Sequence, residues 1–322
     1  MTHRWTPWAR RVIQLVLTIG VTWLVVSQVG VTLEDVSSLG TAVPDPSGLV
    51  LVGSAAVLLL GLSISGWLWS LMVSELGELR PGLWGALRIV FTANLGRYLP
   101  GRLWQIAGLA VLAGREGISR TVAGVAGVLG QAFALTAVAI LASPALIGLG
   151  GGEGRAWAVA LGVLAIFVVL ASIPALVAGG LRIAVRIARL SSDPPRPSAR
   201  LFGLRWLGWY LMNWIVYAVA FVLFVRGLGF SGGWLELMSS FAAAYLLGYV
   251  AVFAPAGLGV REGFLIAFLQ PELASAAVGV ALLTRVWMTL VELVPAGGLA
   301  IWEISRTAGS SGSRGRLESE EP

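Results

Sequence analysis

The chain has 322 residues, 57% of them hydrophobic and 12% charged, with a mean hydropathy of +0.86. Soluble domains carry about 25% charged residues, so about half of the usual solvated surface is missing and a water-soluble globular fold is excluded. The absence of Cys excludes disulfide, thiolate and Cys-ligated metal chemistry, and the formal charge of +6 becomes informative only through its placement.

Six stretches hold no Asp, Glu or Arg: residues 12–29, 48–73, 121–152, 156–181, 206–225 and 237–260. About 18 or more apolar residues with few charges predict a transmembrane helix. Their apolar residues do not alternate as barrel strands would, and lipid offers the backbone no partners, so the spans are helical. Trp5, Trp8, Trp157, Trp206, Trp234 and Trp302, among 14 Trp, fall near predicted helix ends, as in an interfacial belt.

In chain order, the first span covers 8–29. Basic residues precede it as in a signal peptide, but its apolar core is long and no small-residue cleavage site follows, so a retained helix is expected. An acidic loop leads to a second span at 48–76. Residues 83–113 are apolar but interrupted by Arg88, Asn94, Arg97, Pro100-Gly101 and Arg102. Pro and Gly together break a helix, and each flanking piece is too short to cross the bilayer at 1.5 Å per residue. A third span covers 119–147. The Gly-rich run 148–154 that follows lacks the Lys and Ser/Thr of a nucleotide loop. A fourth span, 155–190, carries Arg182, Arg186 and Arg189 at its end, where anionic lipid headgroups are their expected partners.

The Ser/Pro-rich linker 191–199 divides the chain into halves, 8–152 and 155–305. A fifth span covers 200–226. Residues 234–269 repeat the earlier oddity, an apolar run broken around Pro255, Gly257 and Gly259. A sixth span, 272–305, closes a single membrane domain, 1–306. The Gly/Ser/Arg/Glu segment 307–322 is expected to be a disordered tail. Gly124, Gly127 and Gly130 in the third span are expected to serve close helix packing.

All 22 basic residues are Arg, and 18 of them fall in four segments: 2–11, 75–120, 182–205 and 306–316. The intervening loops 30–47 and 148–155 hold one Arg against Glu34, Asp35, Asp45 and Glu153. This positive-inside pattern places the Arg-rich segments and both termini in the cytoplasm. The pattern closes when the two broken segments are re-entrant hairpins flanked by six full spans. The halves then share an order of two spans, hairpin, span in opposite orientation, a recurring transporter plan.

The breaks also carry a family resemblance. Asn94-Leu-Gly-Arg97-Tyr-Leu-Pro100-Gly101-Arg102-Leu-Trp104-Gln105-Ile-Ala-Gly108 resembles the first motif of the lysylphosphatidylglycerol synthase transmembrane family. Pro255-Ala-Gly257-Leu-Gly259-Val-Arg261-Glu262-Gly263 resembles its second, and Arg285 is similar to a family Arg in the following helix. Two departures stand out. Many members carry Gly-Glu where this chain has Trp104-Gln105, and many carry a Glu-Arg pair in the next helix, where this chain offers Gln131. The resemblance implies a lipid-handling protein of a prokaryotic cytoplasmic membrane. In the synthases this region moves an aminoacylated lipid made by an attached soluble transferase domain. No such domain follows here, so the synthase reaction is not expected. Other members are associated with glycolipid or polyprenyl-linked sugar pathways.

The residues themselves support headgroup binding. The helix resuming after each break, near Gly101 and near Val260, has free N–H groups and a positive dipole end that favour an anion. Arg97, Arg102 and Arg261 lie beside these ends, and guanidinium fits phosphate oxygens. Two readings fit Arg97 and Arg102: headgroup ligands, or snorkelling side chains at the interface. Ionisable residues at membrane depth are costly and face a partner or a wet cavity, which describes Arg261, Glu262, Arg285 and Glu292. Glu262 fits either a structural ion pair or a proton-coupled role. Arg285 and Glu292, seven apart, share a helix face and fit interhelical pairing as well as substrate contact.

The candidate binding set is therefore Asn94, Arg97, Pro100, Gly101, Arg102, Gln105, Pro255, Gly257, Gly259, Arg261, Glu262, Arg285 and Glu292. The expected function is flippase-like translocation of an anionic phospholipid or lipid-linked glycan, without catalytic residue, metal or cofactor. The alternative is a non-transporting partner of a glycosyltransferase or lipid-modifying enzyme.

Overall fold

The computed structural model describes residues 44–78, 80–98, 103–148, 202–251, 259–274 and 276–317. Eight α-helices and one 3-10 turn account for almost all of them, and no strand occurs among the described residues. The helices are α1 (Gly48–Glu75), α2 (Leu83–Asn94), α3 (Leu103–Arg115) and α4 (Arg120–Gly148), then α5 (Phe202–Gly227), α6 (Trp234–Val250), α7 (Val260–Leu273) and α8 (Ala276–Leu317). The 3-10 turn Leu95–Tyr98 follows α2. The spans expected at 8–29 and 155–190 lie outside the described residues, as do Arg182, Arg186 and Arg189.

Among the described residues, four helices are long and apolar enough to cross a membrane: α1, α4, α5 and α8, the last over Ala276–Leu299. These are four of the six spans expected from the sequence. Their outer faces present Leu49, Val52, Met212, Leu290 and Val294, each more than half exposed. In water such a surface would drive aggregation; against lipid tails it is the solvated face. The most apolar stretch of α1 is only 22% buried, which marks this helix as lipid-facing along much of its length.

Both broken segments fold as antiparallel helix pairs. In the first, Asn94 meets Gln105, Ala93 meets Gly108 and Arg88 pairs with Glu116, so partners diverge in sequence away from the break. In the second, Gly248 meets Arg261 and Ser240 meets Phe268, with the same divergence. The arms of 12, 13, 17 and 14 residues reach only about 18–26 Å, short of the ~30 Å hydrocarbon core. The segments are hairpins.

The contacts also fix their direction. Helices α1 and α5 run antiparallel, with Ser47 bonded to Gly227 at one end and Glu75 holding Arg205 and Trp206 at the other. Hairpin α2–α3 leaves from the Glu75 end. Hairpin α6–α7 leaves from the Gly227 end, and its base lies beside Pro144 near the C-terminus of α4. The two hairpins therefore enter from opposite ends of the bundle.

Packing follows the small residues. α3 lies on α4 where Gly127 faces Leu109, and the Tyr210 hydroxyl of α5 fits against Gly130; a Cβ at either glycine would overlap its neighbour. Gly124 is looser, with only Ala110 nearby. One difference from expectation concerns the end of the chain. Helix α8 continues to Leu317, through Gly/Ser-rich residues with poor helix propensity. A helix already nucleated by the preceding span adds residues without a new nucleation cost, and segment composition does not register that.

Candidate functional site

Both hairpins border a cavity of about 130 Å³ into which several polar side chains reach. Asn94 and Gln105 reach it from the first hairpin, and Phe241 and Tyr245 from the second. The spans contribute Ser65 from α1, Gln131 from α4, Tyr210, Asn213 and Tyr217 from α5, and Met288 and Glu292 from α8. These positions lie near mid-length of their helices, so the cavity sits deep in the bundle.

The polar side chains are organised by hydrogen bonds. Gln105 donates from Nε2 to Asn94 Oδ1 at 2.6 Å, clasping the two arms of hairpin α2–α3 at its tip. Asn213 donates from Nδ2 to Ser65 Oγ at 2.8 Å, and Ser65 shares a 3.0 Å hydrogen bond with the Tyr217 hydroxyl. Asn213 is 2% exposed, and its Oδ1 accepts from nothing among the described residues. In low dielectric an unsatisfied buried acceptor is costly, which singles it out.

Beside the cavity stands a cluster of charges on α7 and α8. Gly259, with φ +78°, turns the chain into α7; that left-handed conformation suits glycine. Glu262 Oε2 accepts the Gly259 N–H at 2.8 Å, and Glu262 Oε1 lies 3.5 Å from Arg285 Nη1. The negative charge at this helix N-terminus is thus supplied by the chain's own carboxylate, where the sequence suggested room for an external anion. Arg285 is 7% exposed, and its Nε and Nη2 have no hydrogen-bond partner among the described residues. Arg261 points elsewhere. Its guanidinium donates to Met288 Sδ at 2.7 Å and lies over the Phe241 and Tyr245 rings at 5.3 and 5.2 Å. Glu292, 6% exposed, opens on the cavity one turn beyond Met288.

Of the residues singled out in the sequence, Asn94, Gln105 and Glu292 line the cavity directly, and Arg261 touches three lining side chains. Glu262 and Arg285 form an ion pair beside it, and Gly259 shapes the entry to α7. The Arg97 side chain, Pro100, Gly101, Arg102, Pro255 and Gly257 lie outside the described residues. Sequence reasoning missed Ser65, Asn213, Tyr210 and Tyr217. The available signal was polar side chains inside charge-free spans, which in lipid need partners or a wet cavity. Gln131 was noted only as a departure from the family pattern, and both it and Gln105 line the cavity.

An all-helical, multi-pass membrane bundle with two opposed hairpins around a cavity that carries polar side chains defines the class. Residues 11–296 match the family described as the lysylphosphatidylglycerol synthase TM region, and the chain belongs to that family. Comparison with curated proteins and with solved structures found no match.

Proposed function

We propose that this protein moves a lipid headgroup, of an anionic phospholipid or a lipid-linked glycan, across a prokaryotic cytoplasmic membrane. The observation that carries the reading is a cavity carrying polar side chains and bordered by two hairpins that enter from opposite ends of the bundle. A polar headgroup dragged through hydrocarbon loses all its hydrogen bonds. A mid-depth cavity replaces them, and hairpins opening from opposite ends offer a route in and a route out.

The order α1, hairpin, α4 recurs as α5, hairpin, α8 with every direction reversed. This favours an inverted repeat in which the halves rock about the cavity. Arg80, Arg88, Arg115, Arg120 and Arg205 all belong to the Glu75 end of the bundle, which by charge asymmetry is the cytoplasmic one. Both termini fall on that side if the spans 8–29 and 155–190 cross. The work required is binding and movement, with no bond made or broken, so purified protein should turn over no transferase or hydrolase substrate.

The test is translocation of acyl-labelled phosphatidylglycerol and a labelled glycolipid in proteoliposomes, scored by accessibility to an external quencher. Movement above protein-free vesicles is expected for at least one lipid. Rates equal to protein-free vesicles for all lipids tried, with folded protein, would remove the proposal.

A further inference from the structure

We infer that the cavity binds a sodium ion at Glu292 and that this ion travels with an anionic headgroup; this rests on the translocation reading above and supplies its coupling ion. Glu292, 6% exposed, is the one charged side chain on the cavity wall among the described residues. Around it the wall carries the amide groups of Asn94, Gln105 and Gln131 and the hydroxyls of Tyr210 and Tyr217. Gln105 donates from Nε2 to Asn94, which leaves its carbonyl oxygen as a ligand. Carboxylate and carbonyl oxygens suit hard cations. Among the described residues no group of three His, Asp or Glu gathers. A divalent ion therefore lacks its usual carboxylates, and a singly charged ion matches the one present.

Charge balance sets when the ion binds. Arg261 feels the charges of Glu262, Arg285 and Glu292 together, so two cations and two anions share this buried region and cancel. An anionic headgroup entering beside them leaves one negative charge over, and uncompensated charge at membrane depth is costly. A monovalent cation restores neutrality. Sodium without the headgroup would leave one positive charge over, so each favours the binding of the other, and the coupling is reciprocal. The size agrees. Where a single water needs ~10–15 Å³ on this measure, a cavity of about 130 Å³ admits an ion beside part of a headgroup.

The experiment measures radiolabelled sodium retained by the purified full chain in micelles holding phosphatidylglycerol or, in equal amount, uncharged diacylglycerol. Wild type, Glu292→Gln, Gln105→Leu and the control Glu236→Gln are compared at equal amounts of folded protein, judged by size exclusion. Glu236 borders a different pocket, at the base of the second hairpin. Saturable retention is expected in wild type and Glu236→Gln, and it should be stronger with phosphatidylglycerol. Glu292→Gln should abolish it; Gln105→Leu should weaken it, and this variant decides the matter if Glu292→Gln does not fold. In proteoliposomes, replacing sodium by N-methylglucamine should slow phosphatidylglycerol movement by wild type about tenfold or more. Glu292→Gln should move lipid at one rate in either salt. No sodium retained by wild type, equal retention by Glu292→Gln and Gln105→Leu, or a wild-type rate that ignores sodium overturns this inference and leaves translocation standing. Sodium retained as expected with no lipid moved removes translocation and the coupling role together, and keeps the ion site.

Discussion

Glu262 on α7 and Arg285 on α8 approach to 3.5 Å, while the other carboxylate oxygen of Glu262 holds the Gly259 N–H at the start of its own helix. One side chain thus fixes the entry angle of the second hairpin arm and ties that arm to the neighbouring span. The pair is also buried, with side-chain exposures of 7% for Arg285 and 14% for Glu262. An ion held there relies on its partner to offset the hydration it has lost.

Removing one partner should therefore cost more than removing both. Glu262→Gln is expected to destabilise the protein by about 3–5 kcal/mol, because it strands a buried guanidinium. Glu262→Gln combined with Arg285→Met should recover a large part of that loss. Thermal unfolding in detergent of the single and double variants decides it; additive losses would show that the two side chains do not act as a pair.

The glycines of the hairpins give a second prediction with opposite signs at different positions. A Cβ at Gly96 would lie 2.8 Å from the Trp104 carbonyl carbon, and one at Gly248 would lie 2.7 Å from Arg261 Cβ. Gly96→Ala and Gly248→Ala should each destabilise by about 1–3 kcal/mol, since the arms must part to admit the methyl group. Gly263 lies within α7 with nothing within 4 Å of its Cβ position. Gly263→Ala should be neutral or stabilising by up to about 1 kcal/mol. A uniform response of the three variants in the same unfolding assay would mean that close approach of the arms is not what holds the hairpins.

Four of the spans, and the hairpins, were legible in the sequence because lipid removes ambiguity. A charge-free run of such length has one stable backbone state, and a Pro-Gly break inside an apolar run too short to cross twice leaves a hairpin. The cavity was legible only where charge or motif drew attention, as at Asn94, Gln105 and Glu292. Asn213 and Ser65 are single polar residues inside apolar spans, and only the crossing of α1 with α5 reveals that they meet. Arg261 shows the other limit. Its place beside a helix N-terminus suggested an anion ligand, yet the tight approach of Gly248 turns its side chain toward Met288 and two rings. That outcome depends on packing across the hairpin, which no local pattern encodes.

The direction of the bundle yields a third prediction, made convenient by the absence of native Cys. Single Cys substitutions at Glu78 and Glu116 belong to the Glu75 end, and those at Asp45 and Gly232 to the Gly227 end. In intact cells an impermeant thiol reagent should label positions 45 and 232 and spare 78 and 116. Position 313, beyond the end of the last span, should behave like 78. Labelling of 313 together with 45 would break the assignment of both termini to the cytoplasm.

The last prediction separates a working Arg from a merely charged one. The Arg261 guanidinium lies over Phe241 and Tyr245 and bonds Met288, all three of which line the cavity. Arg261→Lys keeps the charge but loses the planar fork and much of the ring contact. Cation–π contacts contribute about 0.5–2 kcal/mol each, more where water is excluded, so lipid translocation per folded protein should fall about tenfold. Arg261→Ala should fall further. Arg102→Ala tests the first hairpin in the same assay and should also slow movement. Arg182→Ala and Arg186→Ala serve as controls, because arginines at a cytoplasmic surface contribute only about 1 kcal/mol each of attraction to anionic lipid; their rates should stay near wild type. Wild-type rates for both Arg102→Ala and Arg261→Ala would reduce these arginines to snorkelling and packing roles, and the headgroup would then have to be held by the side chains that line the cavity.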